Sequence, residues 1–137
     1  MCGKVGAARE GLDPSEAENE DVSQWYRACS RAGKRAYPYG ADFVEGQCND
    51  DSGTGSTAAI ASFSNCVGGY NGLRDLSGNV REWEHSCDGV TGVGDTCGQR
   101  GGSFDSAEQE LACADVREAQ RAAAYADVGF RCCYDPE

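Results

Sequence analysis

Apolar positions recur at helical spacing in one convincing place. In DPSEAENEDVSQWYRACSRAG, residues 13–33, Val22, Trp25, Tyr26 and Cys29 fall at i, i+3, i+4 and i+7, the spacing that lines one face of an α-helix. Asp13 is placed to cap this helix, Pro14 suits its first turn, Glu16 stands where a capping-box partner reaches back, and Gly33 is a terminator. The acidic run from Glu16 to Asp21 reads as a solvated face, with the helix proper starting as late as Asp21. From Ala36 onward the pattern changes to short extended pieces: YPYG, a Ser/Gly/Thr/Ala-rich loop over residues 51–65, GGYNGLRDLSG, VREWEHS and GQRGGSF. A stretch from Ala107 to Ala126 has helix-favouring composition, and no internal repeat is visible.

This patchwork fits one domain over residues 1–137, long enough for a modest core and small enough to gain from cross-links. Nineteen Gly, three Pro and a hydrophobic share of 39% describe a turn-rich chain that folds. Twelve basic residues against 23 acidic ones give a net charge of −11. That balance opposes nucleic acid and anionic membranes and suits cations or basic peptides, although keeping a protein soluble is its first use. No apolar run approaches membrane-spanning length, and residues 1–20 lack the apolar core of a signal peptide, so the chain reads as mature or as cut from a longer one.

Nine cysteines, at positions 2, 29, 48, 66, 87, 97, 113, 132 and 133, exceed what a reduced cytosolic protein of this size carries. Zinc is the competing explanation, but there is no CxxC pair and a single histidine, His85, so disulfides in an oxidising compartment are expected, secreted or in the cell envelope.

The stretch DLSGNVREWE, residues 75–84, flanks a Gly-Asn turn with acids. A strand emerging from a tight loop is expected there. Asp75 and Glu82 could give oxygens to one hard cation while the turn aims carbonyls inward. From spacing alone a hairpin with two solvated acids is the better reading, because the stretch does not follow the EF-hand pattern.

Taken in order, WYRACSRAGKRAYPYG, GGYNGLRDLSGNVREWE, RGGSF and ADVGFRCC resemble the signature blocks of the formylglycine-generating enzyme family, also called the sulfatase-modifying-factor family. Tyr39 stands where that family usually has tryptophan. The resemblance implies an α+β, irregular, C-type-lectin-like fold with little regular structure, and loop and strand rather than helix over Ala107 to Ala126. The family domain is about twice this length, and its N-terminal half, with the MG and VT motifs, has no counterpart here.

The same resemblance implies a structural Ca²⁺ held by Asp75, Gly78, Val80 and Glu82, which shifts the reading of the turn from hairpin to calcium site. A second calcium position of the family falls near Asn49 and Asp50 and is not assigned. Enzymes of the family oxidise a substrate cysteine with O₂ and a copper ion held by two cysteines. Cu(I) favours soft thiolates. The corresponding window, GGSFDSAEQELACADVR from Gly101 to Arg117, holds Cys113 alone, and Ser103, Ser106, Glu108 and Glu110 cannot replace thiolates. Copper is therefore not expected. The iron-dependent sulfoxide synthases of a sister branch need several histidines, and His85 reads as a surface residue beside a strand.

The family pattern further implies the pairs Cys2–Cys132, Cys29–Cys113, Cys48–Cys66 and Cys87–Cys97. Cys133 is left to compete for Cys2, to stay free, or to pair outside this chain. The resulting expectation is a secreted, non-catalytic module binding an unknown protein, peptide or glycan. Its loop from Asp105 to Asp127, with Ser106, Glu108, Glu110 and Asp115, would present the surface. The alternatives are a divergent formylglycine-generating enzyme using Cys113 or Cys133, and a structural envelope protein.

Overall fold

The computed structural model describes residues 1–7 and 10–134. Among them regular structure is sparse: one helix, α1 (Gln24–Ser30), two 3-10 turns, and strands β1 (Arg81–Cys87), β2 (Thr96–Arg100), β3 (Val116–Gln120) and β4 (Val128–Phe130). The fold is α+β with little regular structure, as expected, and the Ala-rich stretch is a 3-10 turn at Glu108–Leu111, then β3 and a loop.

The helix is shorter than its sequence implies. Asp13 and Glu16 do form a capping box with Pro14 in the first position, but around a 3-10 turn at Pro14–Glu16. Ser23 then intervenes: its backbone is extended and its hydroxyl accepts from the Tyr26 amide at 3.0 Å, which starts α1 at Gln24 and leaves Val22 outside. At the other end the chain turns left-handed at Arg31, φ 55°, before Gly33 is reached. The Ser30 hydroxyl makes that early exit tolerable, donating to the Tyr26 carbonyl at 2.7 Å and accepting from the Gly33 amide at 2.8 Å.

The sheet runs β3-β2-β1-β4, with β1 antiparallel to β2, β2 antiparallel to β3, and β4 parallel to β1. Two segments complete the outer edge of β1. β4 pairs with Arg81 to Trp83, and Cys2 continues the edge, bridging to Glu84 and accepting from the His85 amide at 2.9 Å. Beneath lies a small core of Trp25, Leu76, Cys2, Cys29 and Cys113, with Leu73, Tyr26 and Cys133 packed against it.

A charge pair is buried beside that core. Glu84 and Arg100, each with a fully buried side chain, stand 3.6 Å apart. Ser23 donates to Glu84 at 2.7 Å. Arg100 donates to the carbonyls of Ala17 at 2.7 Å and Asp115 at 3.2 Å, and stacks 5.0 Å over the Trp25 ring. Burial pushes the Glu84 carboxyl up and the Arg100 guanidinium down, each partner opposing the shift of the other.

Four disulfides tie the chain, consistent with an oxidising compartment. Cys29–Cys113, Cys48–Cys66 and Cys87–Cys97 are the pairs the resemblance implies. Cys2 is bonded to Cys133, which corrects the expected Cys2–Cys132 pair, and Cys132 is a free, exposed thiol. Side chains alternate sides as the chain leaves β4: Arg131 and Cys133 turn inward, Cys132 and Tyr134 outward. Among the described residues no helix is long and apolar enough to cross a membrane.

Alkylation of native protein without reductant, followed by peptide mapping, is expected to label Cys132 and leave Cys133 unlabelled. Arg100→Met, which strands the Glu84 charge, destabilises by about 3–5 kcal/mol in denaturant unfolding, whereas the double change Arg100→Met with Glu84→Leu loses clearly less.

Candidate functional site

The loop after β2 builds a cleft against β1. Gly101 and Gly102 both have positive φ, 85° and 65°, and a Cβ on Gly102 would fall 2.9 Å from the Glu110 carbonyl oxygen. The glycine pair thus lets residues 103–111 fold back closely. This brings Ser103 and Ser106 underneath, both fully buried, with the Ser103 amide donating to the Ser106 hydroxyl at 3.0 Å.

Arg81 of β1 enters the space between them, only 7% of its side chain exposed. One terminal nitrogen donates to the Ser106 hydroxyl at 2.8 Å and to Glu110 at 2.7 Å. The other donates to the Ser103 hydroxyl at 3.0 Å and to Asp127 at 2.6 Å. Ser103 in turn donates to Asp105 at 2.6 Å. The guanidinium fork suits this task, because it serves two carboxylates and two hydroxyls from one fixed plane. Outside it opens a cleft of about 480 Å³ walled by Arg81, Asp105, Glu110, Arg117, Tyr125 and Asp127, with Arg117 lying 5.4 Å over the Tyr125 ring. Such a wall can hydrogen-bond and pair charge. It contains neither cysteine nor histidine, and so presents no thiolate to a metal or a substrate.

Of the residues expected to form a ligand surface, Glu110 lines this cleft. Ser106 does not face outward: it is buried and supports Arg81. Glu108 is exposed on the 3-10 turn, where its carbonyl accepts from the Tyr37 hydroxyl at 3.4 Å. Asp115 is half-buried, and its carboxyl is pushed up by burial and then by the nearby Glu110 charge. Sequence reasoning missed Arg81, Arg117, Tyr125 and Asp127 as a group. The available signal was Arg81 itself, a cation next to the turn in a strand whose next residue is an inward acid. The two candidate reactive cysteines, Cys113 and Cys133, are both in disulfides.

The 75–82 turn is built differently from a metal cage. Gly78, φ 70°, and Asn79, φ 64°, form it, tied by the Gly78 amide to the Gly101 carbonyl at 2.7 Å and by the Asn79 amide to the Asn49 carbonyl at 2.8 Å. Glu82 points to α1 and to the segment after β4. Its Oε2 accepts from the Trp25 indole at 2.9 Å and from Arg131 Nε at 3.0 Å, and its Oε1 from Arg131 Nε at 3.1 Å and Nη2 at 2.7 Å. Asp75 turns its carboxylate to the Ala61 amide at 2.7 Å. A calcium ion at Asp75, Gly78, Val80 and Glu82 would have to displace the Arg131 guanidinium, since Arg131 already engages both oxygens of the Glu82 carboxylate. In this arrangement the four positions do not fit the ion. Near the second position, Asn49 and Asp50 are buried and hold the 46–56 loop: Asp50 accepts from the Gly46 amide at 2.9 Å and the Ser52 hydroxyl at 2.6 Å. Among the described residues no three His, Cys, Asp or Glu side chains gather closely enough to hold a metal.

A family model, the sulfatase-modifying factor enzyme 1-like domain, matches residues 14–136. Among solved structures the chain is similar to Treponema denticola variable protein 1, at 18% identity over 82% of this chain and 44% of that one, with a TM-score of 0.58. It is also similar to CarF, at 30% identity over 54% of this chain and 26% of that one, with a TM-score of 0.44. The chain thus spans less than half the length of either structure. No curated protein sequence gives a significant match. Likeness to the variable protein, at this identity, is a likeness of fold.

If Arg81 organises the cleft, Arg81→Met costs about 2–3 kcal/mol in urea unfolding, because it leaves buried hydroxyls and two carboxylates without their shared donor. Glu108→Ala, on the exposed turn, stays within about 0.5 kcal/mol of the parent.

Proposed function

Because the chain belongs to the sulfatase-modifying factor enzyme 1-like family, we propose that it keeps the family scaffold and uses it without catalysis, as a secreted or envelope-located module that binds a protein or peptide ligand. The observation that carries this reading is the state of the window from Gly101 to Arg117. Its single cysteine, Cys113, is buried and bonded to Cys29, and the space after the glycine pair is filled by Arg81 with Ser103, Ser106 and Glu110. Hydroxyls and a guanidinium offer Cu(I) no soft donor, so oxidation of a substrate cysteine through two thiolates has no ligands here. Fold alone does not carry the family's chemistry where the site residues differ.

What the cleft offers instead is recognition. Asp105, Glu110 and Asp127 face an opening in which Arg81 is already paired and Arg117 is engaged by Tyr125. On a chain with net charge −11, these carboxylates favour a ligand bearing an arginine or lysine side chain. The rim residues sit on loops held by β1, β2 and β3, so the scaffold stays rigid while the rim sets selectivity.

The test has two arms. The full chain is incubated with Cu(I), O₂, reductant and a peptide containing Cys-x-Pro-x-Arg, and the product is examined by mass for the aldehyde. No turnover above a protein-free control is expected, and turnover abolished by Cys132→Ser or Cys113→Ser overturns the reading in favour of the enzyme. In the second arm, calorimetric titration with an arginine-containing peptide gives binding that weakens at least about fivefold on Asp105→Asn with Glu110→Gln, and an equal affinity in both proteins places recognition elsewhere.

A further inference from the structure

Glu82, at the end of the turn that begins at Asp75, is a mostly buried carboxylate, and the chain itself supplies a cation to it. We propose that Arg131 takes the place of the calcium ion at this turn, so that the turn is closed by an internal guanidinium and its integrity does not depend on metal.

Three N–H groups meet the Glu82 carboxylate: the Trp25 indole, Arg131 Nη2, and Arg131 Nε, whose one hydrogen is shared between both oxygens. The Nη2 of the same guanidinium reaches two backbone carbonyls at the start of the turn, Arg74 at 2.7 Å and Asp75 at 3.4 Å. One positive group therefore neutralises the Glu82 carboxylate and ties it to the Arg74 and Asp75 carbonyls, so that of the four positions expected to hold the ion Glu82 is already taken, while the Gly78 and Val80 carbonyls are not used by the guanidinium. A guanidinium does it with directed N–H bonds in a plane, where calcium would require six or more oxygens around a sphere. The second acid of the turn is committed elsewhere, Asp75 to the Ala61 amide.

The fold also explains why Arg131 arrives there. β4 pairs in parallel with β1, placing Gly129 beside Glu82 and Phe130 beside Trp83. Arg131 is the next residue, and its inward-turning side chain runs back along the strand to the carboxylate. Cys133, two positions on, is bonded to Cys2, which is itself held at the β1 edge. The guanidinium is thus anchored on both sides of its own residue, and less freedom is lost when it closes on Glu82. Its side chain remains 27% exposed and Glu82 8%, so the pair sits at the boundary of the core, where a guanidinium keeps part of its hydration while most of the carboxylate is dry.

The experiment is a melt of the disulfide-intact full chain in excess calcium and after chelation, with calorimetric titration of calcium alone. The expected result is one melting temperature in both conditions and no stoichiometric calcium binding. Arg131→Ala lowers the melting temperature by at least about 4 °C, and Arg131→Lys recovers only part of the loss, because an ammonium cannot span both carboxylate oxygens and the carbonyls. A fall in the parent's melting temperature on chelation, or calcium binding at one ion per chain, overturns the proposal without needing any variant to fold. So does an Arg131→Ala protein that melts like the parent.

Discussion

A carboxylate with no exposure sits in the middle of the central strand, and the rest of the structure is arranged around making that tolerable. Glu84 could not be buried alone, since an isolated ionised group in a dry interior costs far more than the net stability of a small domain. Arg100, from the neighbouring strand, stands against it, and Ser23 donates to it from the cap of α1. Arg100 is also fixed by two carbonyls and the Trp25 face, so helix, β1 and β2 share one polar junction instead of meeting through aliphatic packing.

The strand repeats the solution on both sides. Glu82 and Glu84 turn toward α1 and are neutralised there by Arg131 and Arg100, whereas Arg81 turns the other way and gathers Glu110 and Asp127. Period-two alternation separates a structural charge network from the one that lines the cleft. In each case the cation is arginine, whose weaker hydration and planar fork suit burial better than an ammonium. The cleft is therefore tied to the sheet, because its floor is a strand residue that bonds Glu110 and Asp127 of the rim.

Much of this architecture is legible in the amino-acid sequence. The spacing of Trp25, Tyr26 and Cys29 marks the buried face of α1, the bulky residues around Trp83 beside the Gly-Asn turn mark β1, and the ordered motif blocks mark the family. The start of the helix is harder to read, because two capping signals compete within a short stretch: Asp13 and Glu16 cap a turn, while Ser23 caps the helix. The partner of Cys2 depends on which of two adjacent cysteines faces inward, which local pattern leaves open until the register of β4 is known. Charge counts likewise show that acids outnumber bases, but not that Arg81, Arg100 and Arg131 are drawn inward and leave surplus carboxylates outside. Pairings of that kind join residues 46 and 49 positions apart, as in Arg81–Asp127 and Glu82–Arg131, and only topology sets them.

The two segments that complete the outer edge of β1 come from far apart in the chain, Cys2 before it and β4 well after it. During synthesis the first is available as soon as β1 forms, but the second emerges only after β2 and β3. Until then β1 carries an open edge and a carboxylate, Glu82, without its guanidinium. This gives the domain a high contact order and a late, concerted closing step, and it makes the nascent chain vulnerable to wrong strand pairing for as long as residues 128–131 are still to come.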